Sequence, residues 1–223
     1  MNTRKLLALA VLLILGLAFY FGMDAYRDRT QAEQDTRVAV EGSRLVRMHT
    51  PIIGPQNAPV TIVEFFDPAC ETCRAFYPIV KQIMAQHPDK VRLALRYAPF
   101  HHGSDQVVKL IEAARKQGLY TPVLEALLAA QPEWADHAAP NIGIAFEAAA
   151  RAGLDMERAR QDMETPEIQA VLAQDIEDLT ALQVSKTPTF FVNEKPLISF
   201  GAQQLEDLVR REVGAAKARI PRR

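Results

Sequence analysis

Cys70-Glu71-Thr72-Cys73 sets two thiols two residues apart, and the chain has no other cysteine. Two cysteines at this spacing are either a redox pair or half of a metal site. A tetrahedral zinc site needs two more ligands, usually Cys or His. The five histidines, His49, His87, His101, His102 and His137, form no His-x₃₋₅-His pair. Adjacent residues such as His101 and His102 are poorly placed to share one ion. The sequence therefore points to redox chemistry with no metal and no organic cofactor. The redox group would be the Cys70–Cys73 disulfide itself.

Disulfide exchange requires one accessible thiolate to attack and a second thiol to resolve the mixed disulfide. The pair stands where a strand should end and a helix begin. There the first sulfur meets the positive end of a helix dipole and unpaired backbone N–H groups, which favour the thiolate. Cys73, one turn further in, is more shielded. Cys70 is thus the expected nucleophile and Cys73 the resolving thiol, with Glu71 and Thr72 between them.

The flanking pattern supplies the elements that would hold this pair. Residues 60–66, VTIVEFF, form a β-branched and aromatic run that predicts a buried strand. Helical spacing follows over residues 71–86, with Pro78 inside it predicting a kink. Residues 91–97 predict a second strand. Helices are expected over 105–117, 121–130, 142–152 and 165–182, broken at Gly118, Pro132, Pro140 and Gly153. Residues 189–193 and 196–200 read as a β-hairpin, and 203–216 as a last amphipathic helix. Residues 50–59 carry three prolines and read as an extended lead-in. This order predicts an α/β protein with a mixed sheet and a helical insertion. His101-His102-Gly103-Ser104 reads as a loop in which Ser104 caps the next helix. Trp134 is expected to pack between helices.

The stretch VEFFDPACETCRAFYP resembles the active-site segment of the thioredoxin superfamily, specifically its DsbA-like branch. The resemblance implies a thioredoxin fold and covers roughly residues 59–216. Glu64 stands six positions before Cys70, where the family buries an acidic residue under the pair. Its implied role is to take or relay the proton of Cys73. Val184 to Val192, VSKTPTFFV, resembles the family's cis-proline loop, which implies that Pro188 is cis. Thr187 would then contact the sulfurs, and the loop would offer backbone to an extended client chain. The dipeptide Glu-Thr departs from the Pro-His of DsbA. A carboxylate at Glu71 approaching Cys70 would oppose the thiolate. A couple less oxidising than DsbA's, about −120 mV, is therefore predicted.

Residues 6–23 form an uncharged apolar run of 18 residues behind Arg4 and Lys5. As a helix it would span about 27 Å, close to the hydrocarbon thickness of a bilayer. With no good cleavage site after it, an uncleaved signal anchor is expected. The predicted division is an anchor over 1–23, a stalk and lead-in over 24–58, and a thioredoxin-like domain over 59–218 with its insertion at about 104–182. The predicted location is single-pass in a bacterial inner membrane, with the domain facing the periplasm. Cysteine-containing client proteins and a DsbB-like or DsbD-like membrane redox partner follow from the resemblance. The net charge of −1 gives no reason to expect nucleic acid. Two other functions fit a dithiol on this fold. One is a chaperone or assembly factor holding client chains; the other is a handler of a soft ion such as Cu(I).

Overall fold

The structure, a computed structural model, describes the backbone of residues 3–219; the side chains of residues 3–11, 14, 18, 34–41, 43 and 219 lie outside the described residues. The chain begins with helix α1 (Thr3–Glu41), so the expected anchor and the first part of the stalk form one continuous helix. Among the described residues no helix is long and apolar enough to cross a membrane. The side chains of residues 6–11, the first third of the predicted membrane run, fall outside them.

Five strands form one sheet: β1 (Ile52–Ile53), β2 (Val60–Phe66), β3 (Val91–Tyr97), β4 (Thr189–Val192) and β5 (Lys195–Pro196). Their spatial order is β1-β3-β2-β4-β5. β2 lies between β3, which runs parallel to it, and β4, which runs antiparallel. A strand in the middle of a sheet covered on both faces has no solvent side, which is why VTIVEFF shows no polar alternation. The lead-in is not merely extended, because Ile52 and Ile53 pair with Ala94 and Leu93 at the sheet edge. The hairpin is shorter than its sequence suggests. Asn193 and Glu194 turn at positive φ, and β5 stops at Pro196.

Helix α2 (Glu71–Gln86) continues unbroken through the exposed Pro78. The insertion comprises α3 (Ser104–Lys116), α4 (Tyr120–Trp134), α5 (Ile142–Arg151), α6 (Met156–Met163) and α7 (Pro166–Ala181). The break expected at Pro132 is absent. Helix α4 runs through Pro132 and ends two residues later, at Trp134. Trp134 is fully buried and donates its indole N–H to Leu127 O at 2.9 Å. Helix α6 was not anticipated; Asp155 caps it by accepting from the N–H groups of Glu157 and Arg158. Helix α8 (Ala202–Arg219) closes the fold.

The two faces of β2 feed two different cores. Ile62 and Phe66 point toward Cys73, Phe76, Val80 and the insertion. Val63 and Phe65 point toward Leu179, Leu182, Val184 and Phe191. Side chains two apart on a strand share a face, so Glu64 lies on the side of Ile62 and Phe66, the side of the cysteines. The second core holds a buried ion cluster. Arg96 donates from Nε to Asp175 Oδ1 at 2.9 Å and from Nη2 to Asp178 Oδ2 at 2.8 Å. Arg47 donates to both oxygens of Asp178, at 2.8 and 2.6 Å. Asp175 also accepts the backbone N–H of Tyr97 at 2.7 Å, which ties α7 to β3.

Candidate active site

Cys70 occupies the N-cap of α2 with extended backbone, and Cys73 lies inside the first turn. Both sulfurs are free thiols. Cys70 is 6% exposed and Cys73 is fully buried, so of the two only Cys70 reaches the surface. Burial opposes ionisation of Cys70, but hydrogen bonds outweigh it. The Cys73 side chain leads, followed by Thr187 and the backbone N–H groups of Cys73 and Thr72. Together they bring the Cys70 thiol down to about 5. The Cys73 thiol moves the other way. Its burial, its hydrogen bond to Cys70 and the nearby charges of Glu64 and Cys70 push its pKa up. The pair is thus split into a thiolate and a retained proton.

The cis-proline loop meets this pair from the far end of the chain. The Thr187–Pro188 peptide bond is cis, and the carbonyl of Thr187 lies 3.4 Å from Cys70 Sγ. Pro188 is buried and leads directly into β4. Beside it opens a groove of about 280 Å³ lined by Val184, Lys186, Pro188, Phe190, Leu197 and Phe200. Phe200 is 45% exposed and its ring lies 4.7 Å from that of Phe76 on α2. An apolar wall thus runs from the groove to the redox helix.

Glu64 is fully buried, and neither carboxylate oxygen has a hydrogen-bond partner. It faces Phe190 on β4 and Leu95 on β3 across the sheet. Burial, helped by the Cys70 charge, raises its pKa to about 8. A carboxyl in that range can hold or release a proton near neutral pH.

A family model described as "Thioredoxin" matches residues 47–210. The chain belongs to the thioredoxin family. A thioredoxin-like oxidoreductase from Silicibacter pomeroyi DSS-3 is similar to it, with 32% identity and a TM-score of 0.66, covering 76% of this chain and 95% of that one. The thiol-disulfide exchange protein alpha-DsbA2 from Wolbachia pipientis shares the fold at a TM-score of 0.70 and 17% identity, over 82% of this chain and 97% of that one. The Na(+)/H(+) antiporter NhaA 3 of Salinispora tropica is 33% identical over 143 residues, 63% of this chain and 21% of the antiporter. The chain spans about a fifth of the length of the curated relatives it matches.

In this thioredoxin-family site, two supports were not evident from sequence. Asp67, fully buried after β2, gathers five donors. Its Oδ1 accepts Ala69 N–H at 2.9 Å and the Ser104 hydroxyl. Its Oδ2 accepts Phe100 N–H at 2.7 Å and His101 N–H at 2.9 Å, and lies 2.7 Å from His101 Nδ1. The turn before Cys70 and the loop after β3 are thereby one unit. Ser104 therefore does not cap α3 as its position suggested, because its hydroxyl is spent on Asp67. The N-cap is Gly103 at φ 79°, with no side-chain cap. A Cβ on Gly103 would also sit 2.6 Å from Ile142 Cδ1. His101, in the loop after β3, is thus tied through Asp67 to the turn that carries Cys70. Burial works against its charge, but the Asp67 carboxylate and the Cys70 charge raise its pKa.

Gln131 on α4 is the second support. Its Nε2 donates to Pro68 O at 2.7 Å and Cys70 O at 3.0 Å, while its Oε1 accepts from Arg74 Nε at 2.9 Å. The insertion thereby braces the redox turn directly. Between the cysteines, Thr72 is exposed, and Glu71 is turned outward to His137, with Oε1 2.8 Å from Nε2. The backbone N–H of Glu71 itself and then His137 hold this carboxyl below the usual range. The opposition of Glu71 to the Cys70 thiolate is blunted accordingly.

Proposed function

We propose that the chain is a thiol–disulfide oxidoreductase that exchanges disulfides with cysteine-containing proteins outside the cytoplasm through its CETC motif. The observation that carries this is the split pair: a stabilised thiolate at Cys70 against the cis-proline loop, and a shielded, protonated thiol at Cys73. The alpha-DsbA2 protein similar in fold is by name a thiol-disulfide exchange protein, which supports the same reading.

In the reducing direction, the Cys70 thiolate attacks one sulfur of a client disulfide. A Cys70–client S–S bond forms and the other client sulfur leaves as a thiolate. Cys73 then gives its proton to Glu64 and attacks Cys70 Sγ. The client sulfur departs with the electron pair, and the Cys70–Cys73 disulfide remains. The oxidising direction is the same path in reverse, with Glu64 returning the proton. The Thr187 carbonyl and the groove beside Pro188 hold the client chain while the bonds exchange.

Incubation with a model disulfide client separates the roles. Cys73→Ser should accumulate a mixed disulfide at Cys70, and Cys70→Ser should be inert. Full exchange by Cys70→Ser would sink the proposal. The direction of electron flow is read by thiol trapping in cells, where an oxidised pair means an oxidase fed by a DsbB-like partner. A reduced pair means a reductase or isomerase fed by a DsbD-like one.

The apolar run over residues 6–23 supports a tether in the inner membrane with the domain in the periplasm. Carbonate extraction of membranes tests it: the full chain should stay in the pellet. Release of the chain into the supernatant would remove the tether from the proposal.

A further inference from the structure

Three groups able to bind a metal converge on the rim beside Cys70. They are the carboxylate of Glu71 and the imidazoles of His101 and His137, and one ligand atom from each lies within 4.8 Å of the others. They come from three separate places: the start of α2, the loop after β3 and the loop after α4. His137 Nε2 lies 2.8 Å from Glu71 Oε1. The two imidazole rings are 5.0 Å apart at 71°.

The surroundings of His101 give these contacts direction. Its Nδ1 is engaged by Asp67 Oδ2 at 2.7 Å, which leaves Nε2 as the nitrogen available for an ion. Asp67 is fully buried and anchored by backbone donors, so it fixes both the ring orientation and the tautomer. A buried carboxylate behind an imidazole is the outer-layer arrangement that typically orients metal-binding histidines and raises their basicity. The opposite partners are adjustable. The side chains of Glu71 and His137 are 58% and 61% exposed. Ligand atoms around a tetrahedral zinc at about 2.0–2.1 Å sit roughly 3.4 Å apart. Rotation of these two exposed side chains can close the remaining gap.

We propose that Glu71, His101 and His137 form a binding site for a divalent transition-metal ion of the zinc type. Two neutral imidazoles and one carboxylate are a donor set that suits Zn²⁺ and disfavours Mg²⁺ or Ca²⁺, which prefer all-oxygen ligands. Three protein ligands leave a fourth position open to water. His101 and His137 are far apart in sequence, so no spacing rule joins them, and only the fold does.

The test uses Zn²⁺ alone and the full chain in detergent, with Cys70 and Cys73 closed as a disulfide so that neither sulfur can ligate. Competition with a chromophoric chelator reads the affinity. One equivalent should bind, and His137→Ala and Glu71→Gln should each weaken binding by about 10-fold or more. Both positions are exposed, so both variants should fold. Asp67→Asn should weaken binding as well, through the orientation of His101. Equal affinity in the wild type and in a His137→Ala, Glu71→Gln double variant would overturn the site. So would binding seen only in the reduced chain and lost in Cys70→Ser, which would make the dithiol the ligand.

Discussion

The carbonyl oxygen of Thr187 lies 3.4 Å from Cys70 Sγ, across 117 residues of sequence. This contact joins the two halves of the fold at the reacting atom. The Cys73 thiol, the Thr187 side chain and the backbone donors of Cys73 and Thr72 set the acidity of Cys70.

The thiolate of Cys70 should therefore form with a midpoint near pH 5. Alkylation rate or ultraviolet thiolate absorbance against pH reads this directly on the reduced protein. The folded value lies below the ordinary 9.0, so the linked stability is fully present above pH 9. It is lost as pH falls through 5. The reduced form should accordingly gain on the disulfide form as pH rises between these limits. A midpoint near 8 or 9 would contradict the hydrogen-bond account.

The potential of the pair follows from the same ionisation. A thiolate at about 5 lies between the thioredoxin and DsbA cases, about 7 and about 3.5. Equilibration with glutathione should place the couple between about −270 and −120 mV. Glu71→Ala should shift it little while His137 holds the carboxylate outward. In His137→Ala that carboxylate is released, and the couple should become more reducing.

Glu64 should affect rate and stability in opposite senses. Glu64→Gln removes the proton acceptor for Cys73 and should slow resolution of the mixed disulfide by about 100-fold, the low end for a positioned base. Initial attack by Cys70 should be little changed. Glu64→Leu should stabilise the reduced protein. The wild-type carboxyl titrates at about 8 when folded, against an ordinary 4.5. Its stability is fully present below pH 4.5 and lost as pH rises through 8, so at pH 7 the cost is about 3 kcal/mol. Denaturant melts at pH 4 and pH 7 should show the gain of the variant only at the higher pH.

Asp178 predicts the acid limit of the fold. Burial disfavours its charge, but Arg47, Arg96 and Arg44 hold its carboxyl at about 2, below the ordinary 3.8. The linked stability, about 2 kcal/mol, is present above pH 4 and lost as pH falls through 2. Asp178→Ala leaves the fully buried Arg96 short of a partner and should cost about 3–5 kcal/mol in a neutral-pH melt.

What could be read from the sequence was whatever is encoded locally. Residues 60–66 announce a covered strand because β2 has neighbours and cores on every side. Cys70, Cys73 and the start of α2 share one short segment, and Thr187-Pro188 carries its own local pattern. Helix α6 carries a local signal in the Asp155 cap, but Gly153 just before it reads as a simple break. The supports were hidden for a different reason. Asp67 looks like a turn residue until the loop of residues 98–104 comes back over it. Gln131 lies 61 positions from the Cys70 carbonyl it binds. No local pattern pairs Arg96 with Asp175 and Asp178; α7 packing against β3 does. Each is decided by a partner far away in the chain, and single-residue chemistry does not name that partner.

The carboxamide of Gln131 has a bearing on how such domains can be taken apart. An insertion fastened to Pro68 and Cys70 is not a detachable accessory. Excising α3 to α7 to make a minimal scaffold would strip the Pro68 carbonyl of its donor and loosen the turn that aims the reactive sulfur. Transplanting the insertion from a relative would succeed only if it carried an amide at the same place. The helices that set this chain apart from the bare fold are in that sense part of its redox hardware.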